Sequence, residues 1–309
     1  MKIKKQNKLF FYLKGYSNVL FCIPRDFKVK ILELESQLSE EQLTKTKQRI
    51  DYYCKASLKS SYGNTTIKDL KNPKTPKSYY FDTYEYARFF DGNLPINFVF
   101  GDVTEVPKVP SIVKSRPIFK DNQNSVLLNL DKARHFVWVK DHIPFLSKKN
   151  ILYGRAAVHQ EHRKVFYEKY FHHPLCDLGQ INKNGGNQQW IKPKSSLKEH
   201  LGYKFILSLQ GNDVATNLKW IMSSNSIAVM PRPTMETWFM EGKLQGGKHF
   251  IEIKPDYSDL EEQLNFYIAN PEKCLEIINN ANHYCAQFFD KNLEGYCSLK
   301  VLEKYFNLQ

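Results

Sequence analysis

The stretch "KFILSLQGNDVATNLKWIMSSNSIAVM", residues 204–230, constrains the fold more than any other part of the chain. KFILSL (204–209) is apolar on both alternations, Phe205, Leu207 and Leu209 on one side and Ile206 on the other. A strand with no polar face belongs in the interior of a parallel sheet. VATNLKWIMSS then places Val214, Leu218 and Ile221 at helical spacing, and SIAVM (226–230) reads as a second strand. Strand, helix, strand in that order requires a crossover and a sheet covered by helices.

The same alternation surrounds it. NILYG (150–154) and FIEIK (250–254) read as strands, QEHRKVFYEKYF as a helix, and NKNGGNQQWIKPKSS (182–196) as a loop. SDLEEQLNFYI reads as a helix with an S-x-x-E cap at Ser258 and Glu261, and further helices start at Pro271 and Asn292. The first half is less regular. SEEQLTKTKQRIDYYCKASL (39–58) is expected to be a helix opened by an S-x-x-E-type cap, and FDTYEYARFF another. INFVFGD (96–102), NSVLLNL and HFVWV read as strands, and VPKVPSIVKSRP, with three prolines, as a loop. The polar run LSKKN (146–150) is the expected boundary between an irregular first domain and an α/β nucleotide-binding second one.

A chain of 309 residues suits two domains. Its net charge of +13 fits either a basic surface or anionic partners such as nucleotides, phosphorylated glycans or an acidic membrane face. Cys22, Cys54, Cys176, Cys274, Cys285 and Cys297 form no C-x-x-C, so reduced thiols and a cytoplasmic setting are expected. The start MKIKKQNKLFFYLKG has a basic end, but the apolar run Leu9–Leu13 is cut by Lys14 and is too short for an export signal. No segment approaches the roughly 20 apolar residues of a membrane span.

Three strand-to-helix junctions carry candidate chemistry, and each also has a plain structural reading. At 207–220 the glycine of QGND either makes a tight capped turn or lets the backbone approach an anionic group. Asn212 or Asp213 would cap the helix, leaving the amides near Ala215–Asn217 for a diphosphate. YGRAAVHQEHRKVF (153–166) sets Arg155 and Arg163 where guanidinium forks either meet a pyrophosphate or face solvent. FVFGDVTEVP (98–107) puts Asp102 after a strand and a glycine, as a general base or as an ordinary turn residue. In MPRPTMETWFMEGKLQGGKHF (230–250), Glu236 is expected at the start of a helix, accepting sugar hydroxyls. Trp238 there is either a stacking wall or core. His159 and His162 lack a third metal ligand, and His172 and His173 read as surface or packing residues.

The stretch 204–239 followed by HFIEIKPDYSDLEEQL resembles the family 90 glycosyltransferases, above all their bacterial lipopolysaccharide branch. The resemblance spans about Asn97 to Phe288 and is densest over 204–264. It implies a GT-B fold, two Rossmann-like domains facing across a cleft, with inversion at the anomeric carbon and no metal or other cofactor. Its implied domains are 1–147 on the acceptor side and 148–288 for the nucleotide-sugar, with 289–309 packing back on the first. GDVTEVPKVP is similar to the family's catalytic-aspartate loop, which makes Asp102 the base. GRAAVHQEHR is similar to its Arg-Gly loop, with Ala156 in place of the glycine, and aligns Arg155 and Arg163 with diphosphate ligands. QGNDVATNLK is similar to the diphosphate turn. That assigns Gly211, Asn212, Asp213, Val214, Ala215, Thr216, Asn217 and Lys219 to the donor, together with Glu236 and Trp238.

The expected activity is transfer of a hexose, glucose by the resemblance, from a UDP-sugar to a lipopolysaccharide core or similar glycan. The partners are then an anionic glycolipid acceptor and the inner face of the cytoplasmic membrane, touched peripherally. Two other classes stand against this. A noncatalytic carbohydrate-binding relative would keep the fold without turnover, and a basic nucleic-acid-binding protein would suit the aromatic and Lys/Arg content. No RRM, KH or zinc pattern supports the latter, so no nucleic-acid partner is expected.

Overall fold

A computed structural model describes residues 2–21, 26–56, 63–119 and 121–307. Cys22 and residues 57–58 at the end of the helix expected over 39–58 lie outside them. The chain divides into two compact units, both discontinuous in sequence. A sheet unit comprises residues 1–5, 136–233 and 243–286, and a helix-rich unit comprises 6–135, 234–242 and 287–309.

The sheet unit holds five parallel strands, ordered Cys176–Gln180, Lys149–Ala156, Tyr203–Leu207, Ile227–Met230, Ile251–Glu252. Counted along the chain this is the order 2-1-3-4-5 of one doubly wound α/β class, whose direction of winding reverses between the first and third strands. Phe205, Ile206 and Leu207 are buried on both alternations, as their unbroken apolar run requires. Phe166 and Tyr167 of helix Glu161–Tyr170 share one core with Leu152, Leu178, Phe205, Val229 and Ile251, and Leu260, Leu264 and Ile277 of later helices join it. Gly154 in the strand Lys149–Ala156 is closely packed: a Cβ there would stand 3.1 Å from the Leu178 side chain and 3.3 Å from that of Leu207.

Several expectations change here. LSKKN is not a linker: Lys148 is buried inside the sheet unit, its Nζ 2.6 Å from Asp141 and 2.7 Å from Ser226 Oγ. The boundary falls at 135/136 instead of 147/148. The helix expected from Val214 is only Leu218–Met222. Asp213 Oδ1 takes the Val214 amide at 2.6 Å and Asn217 Nδ2 donates to Leu207 O at 2.9 Å, so side chains hold the preceding turn in a non-helical form. The Ser258 cap is also replaced: its hydroxyl bonds to Asp256 at 2.9 Å, and helix Leu260–Ala269 is preceded by Asp259.

In the helix-rich unit, helix Glu40–Tyr53 opens with a reciprocal cap whose third-position partner is Gln42: Ser39 N to Oε1 is 2.9 Å and Gln42 N to Ser39 Oγ is 3.2 Å. Short parallel strands Phe98–Val99, Ser111–Val113 and Ser125–Leu127 form one sheet. The segment expected as a proline loop therefore contributes a strand, with Pro107 and Pro110 lying just ahead of it. Ser115–Pro117 pairs antiparallel with Met235–Thr237, which places Glu236 on a strand opposite Arg116 and not at a helix start. Helix Lys291–Phe306 packs against the helices Phe27–Glu35, Glu40–Tyr53 and Lys77–Ala87 within this unit. Among the described residues Cys54, Cys176, Cys274, Cys285 and Cys297 are free thiols, and no helix is long and apolar enough to cross a membrane.

One buried network closes the unit. Arg49 Nη2 lies 2.6 Å from Glu294 Oε1, and Trp238 Nε1 donates to Glu294 Oε2 at 2.6 Å. The Tyr53 ring stacks on Trp238 at 3.9 Å and its hydroxyl donates to Trp238 O at 2.7 Å. Glu294→Ala would leave the Arg49 charge and the indole N–H buried without their acceptor, a loss of about 3–5 kcal/mol. The expected outcome is a fall of roughly 6–15 °C in the melting transition of this unit, against a smaller fall for Glu294→Gln. Calorimetry checks it, and a variant melting with the wild type would show that the network is dispensable.

Candidate active site

In sheets of this winding, ligands collect beyond the carboxyl ends of the strands where the order reverses. Here that place lies after Lys149–Ala156 and Tyr203–Leu207, and three loops are tied together at this sheet edge. Val158 N donates to Asn182 Oδ1 at 2.7 Å, joining the first loop to the one after Cys176–Gln180. Gln160 Nε2 donates to Asn212 Oδ1 at 2.9 Å, joining it to the turn 208–217. Arg163 makes the firmest tie. Its Nε donates to Gln210 O at 2.8 Å, Nη1 to Ala157 O at 2.8 Å and Nη2 to Leu209 O at 2.7 Å. Burial lowers the pKa of this guanidinium, so its charge stands in a partly dehydrated setting where an anion would be attracted more strongly than in water.

The residues expected to bind a donor divide sharply around this edge. Gly211, Thr216 and Asn217 are half-buried and Asn212 is exposed, whereas Asp213, Val214 and Ala215 are buried. Asp213 is spent on its own turn through the Val214 amide and does not cap the helix, which starts at Leu218 with no side-chain cap. Asn217 is spent on Leu207 O and on Ser208 Oγ, at 2.9 and 3.0 Å. Gly211 is not demanded by the backbone: an added Cβ would meet Val214 O at 3.5 Å and Arg163 Nη2 at 3.7 Å, both ordinary contacts. What its missing side chain does is leave the edge of the Arg163 guanidinium uncovered.

Arg155 is not brought to this place. Its Nη2 lies 2.9 Å from Asp177 Oδ1 and its Nη1 donates to Gly154 O at 2.9 Å and to Asp177 O at 2.8 Å. The Asp177 carboxyl would be raised by burial, yet hydrogen bonds from Lys192 and Arg155 hold it below the usual range. The ring of Tyr153 lies 4.2 Å from the guanidinium carbon, completing a clamp between neighbouring strands. Lys219 is wholly buried, its Nζ 5.5 Å from the centroid of Phe136. Lys219 is closed to solvent here, while the Arg155 side chain keeps 11% exposure.

Glu236 and Trp238 belong to the helix-rich unit and are 1% exposed. Glu236 Oε1 accepts from Arg116 Nε at 2.8 Å and its Oε2 from the Tyr52 hydroxyl. Burial and the Glu236 carboxylate together push the Tyr52 phenol up. Arg116 is itself committed to Tyr52 O, Tyr53 O and Ser125 O. Trp238 is core, stacked on Tyr53, so a sugar-stacking wall is not what its position provides.

Asp102 is placed differently. It follows Gly101, whose φ of +123° suits glycine alone, at the corner leaving Phe98–Val99. Its side chain keeps 27% exposure while the buried Lys114 Nζ holds Oδ1 at 2.5 Å. A carboxylate oriented by a buried cation and open to solvent is chemically equipped to accept a proton. Lys114 escaped the sequence reading because VPKVPSIVKSRP was taken for loop, where a lysine has no fixed partner. Gln160, Asn182 and Gln210 escaped it because uncharged side chains give no local signal. His162 had been weighed only as a metal ligand; its Nε2 lies 2.9 Å from Gln210 O. Among the described residues no group of three or more His, Cys, Asp or Glu is disposed to hold a metal ion.

The parallel sheet with its reversal point and tied loops is the architecture of a doubly wound α/β protein. Residues 141–309 match Glycosyl transferase family 90. The chain is also 44% identical over 261 residues to the O-glucosyltransferase LpsA of Dichelobacter nodosus, covering 84% of this chain and 82% of that protein. The chain belongs to glycosyltransferase family 90 and is a glycosyltransferase.

Two substitutions test the switch-point geometry. Arg163→Met removes three charge-assisted bonds, and amide exchange over 208–213 is expected to accelerate by roughly thirtyfold, about 2 kcal/mol of local stability. Gly211→Ala, which meets only ordinary contacts, should leave the melting temperature within about 1 °C. Unchanged exchange in the first, or a large destabilisation in the second, would contradict the geometry.

Proposed function

We propose that the protein moves a hexosyl group, glucose in the first instance, from a UDP-sugar to a hydroxyl of a lipopolysaccharide core or similar cell-surface glycan. Configuration at the anomeric carbon is inverted and no metal takes part. The enzyme is of the GT-B class, with the donor at the reversal point of the parallel sheet and Asp102 as the base. The observation that carries it is Arg163 at the reversal point of the sheet, its cation presented beside the bare backbone of Gly211. Glucose and an oxygen acceptor are supported by the similarity to the O-glucosyltransferase of Dichelobacter nodosus. An anionic glycolipid acceptor is supported by the net charge of +13.

In this mechanism Asp102 takes the proton of the acceptor hydroxyl, whose oxygen forms the new bond to the anomeric carbon. The bond from that carbon to the β-phosphate oxygen breaks, and UDP leaves with the electron pair. The N–H donors of Arg163 not spent on carbonyls meet the charge that develops on the diphosphate, with backbone amides of this turn other than those of Gly211 and Val214, which Val214 O and Asp213 hold. The helix beyond that turn is only Leu218–Met222, too short to contribute much dipole, so Arg163 carries the larger share. Lys114 keeps the Asp102 carboxylate in one orientation through the cycle.

Asp102→Asn is expected to lower kcat by roughly 10²–10⁴-fold while a UDP-induced rise in melting temperature stays as in the wild type. Gly211→Ala should weaken the donor without that loss of kcat. Turnover is expected to survive EDTA, and UDP-glucose should stabilise more than UDP-galactose or UDP-xylose. Wild-type turnover in Asp102→Asn would remove Asp102 as the base, and absence of stabilisation by any UDP-sugar would remove the donor class.

A further inference from the structure

Helix Lys8–Leu20 has two apolar faces, and its own unit covers one of them. Phe11 and Gly15 are buried against helix Lys77–Ala87. Phe11 sits edge-on to Phe81 with centroids 6.4 Å apart, and a Cβ on Gly15 would stand 2.5 Å from the Phe81 ring. The glycine therefore lets the two helices close on each other. On the opposite side Leu9 is 71% exposed, Leu13 59% and Leu20 73%, at helical spacings that align them in one stripe. Phe10 and Phe21, 65% and 70% exposed, widen that stripe on one flank, and Tyr12 and Tyr16 border it on the other. Single exposed apolar residues are ordinary, but a continuous apolar face along a whole helix marks a contact surface.

Charge complementarity identifies what this face contacts. The first 25 residues contain Lys2, Lys4, Lys5, Lys8, Lys14 and Arg25, and no aspartate or glutamate. Lys77 Nζ donates to the Tyr16 hydroxyl at 2.8 Å, and Lys14 lies 2.6 Å from Glu85, so ammonium groups stand at the border of the stripe. The next helix, Phe27–Glu35, exposes Val29 and Leu32 at 64% and 65%, with Lys28 exposed just ahead of Val29. Apolar residues rimmed by tyrosine and lysine match the layering of a bilayer surface, with acyl chains below and phosphate headgroups above. A second copy of the chain is a poor occupant, because a two-fold contact would bring two sets of like charges together.

We propose that the outward face of helix Lys8–Leu20 is a membrane-contact surface that lies in the headgroup layer of a bilayer rich in anionic phospholipid. The helix has 13 residues, so it is about 20 Å long and lies along the surface instead of spanning it. Leucine and phenylalanine side chains enter the acyl boundary while the lysines neutralise headgroup phosphates. A transferase acting on a lipid-borne glycan gains from this a high local concentration of acceptor. The surface itself does not rest on the transferase chemistry, and its test needs no turnover.

The test is flotation of the full chain with vesicles of phosphatidylcholine alone or with one-third phosphatidylglycerol, at low salt and at about 1 M salt, where the Debye length falls to about 3 Å. The expected result is at least roughly tenfold stronger binding to the anionic vesicles, lost at high salt. Leu13→Ser combined with Leu20→Ser should weaken binding by at least roughly tenfold without moving the melting temperature, since both side chains are exposed. Lys5→Gln combined with Lys8→Gln, which touches no apolar contact, should weaken binding to anionic vesicles alone. Wild-type flotation by the leucine variant, or equal binding to both vesicle types, would overturn the proposal. So would a sedimentation profile in which the wild type is a dimer and the leucine variant a monomer, because the face would then be a contact between copies.

Discussion

The Arg49–Glu294 pair is the constraint on which the helix-rich unit depends, since it joins three segments that are far apart in sequence. Arg49 comes from the helix Glu40–Tyr53, Glu294 from the last helix, and Trp238 from a short excursion out of the sheet unit. Removing two charges from water is costly, and the cost is offset only when every donor and acceptor finds a partner. That condition is met in detail. Glu294 takes Arg49, Trp238 and Asn129, while Arg49 also reaches Tyr53 and Gln287 O and lies over the Phe288 ring. A hydrophobic contact would tolerate slippage, whereas this network has one geometry. It therefore fixes residues 234–242 within this unit and ties the chain's last helix to helix Glu40–Tyr53.

The second buried pair, Arg116–Glu236, works to the same end one step away. It sits across the antiparallel pairing of Ser115–Pro117 with Met235–Thr237 and anchors that ladder through both side-chain and backbone oxygens. Glu236 and Trp238 thus have structural duties that account for their chemistry without reference to a ligand. A glutamate and a tryptophan spaced two apart read equally well as a sugar site, and sequence offers no way to separate the two. The distinction lies in Arg49 and Arg116, which local patterning cannot bring to their side.

What was readable in the chain follows the same physics. Four strands of the parallel sheet stand out in the sequence because burial favours apolar runs, whereas the fifth, Cys176–Gln180, has the sequence CDLGQ and gives no such signal; the helices after Glu161, Pro271 and Lys291 stand out by their periodicity. The helix after Gly211 was misjudged because Asp213 and Asn217 use their side chains to hold the turn open, a competition that apolar spacing does not record. The strands at 111–117 were hidden by prolines that flank them, and the unit boundary by lysines at 148–149 that are read as solvated. Lys148 is instead a buried partner of Asp141. Of the donor-side expectations, Arg163 and the backbone of 211–212 reached the reversal point. The difference between Arg163 and Arg155 was decided by Asp177, a residue of the adjacent strand whose register no sequence spacing reveals.

These fates change what the net charge means. Lys114, Arg116, Lys148 and Lys219 are buried, and Arg49 nearly so, each committed to internal partners or rings. A total of +13 counts such residues equally with those at the surface, although an internal pair contributes little field outside the protein. The part of the charge that reaches solvent unopposed is concentrated where acidic residues are missing, and the longest such stretch is the first 25 residues. Bulk basicity is therefore a poor guide to a small anion site, which depends on one or two placed donors. It is a better guide to an extended anionic surface, where many exposed cations act together and none needs a fixed partner.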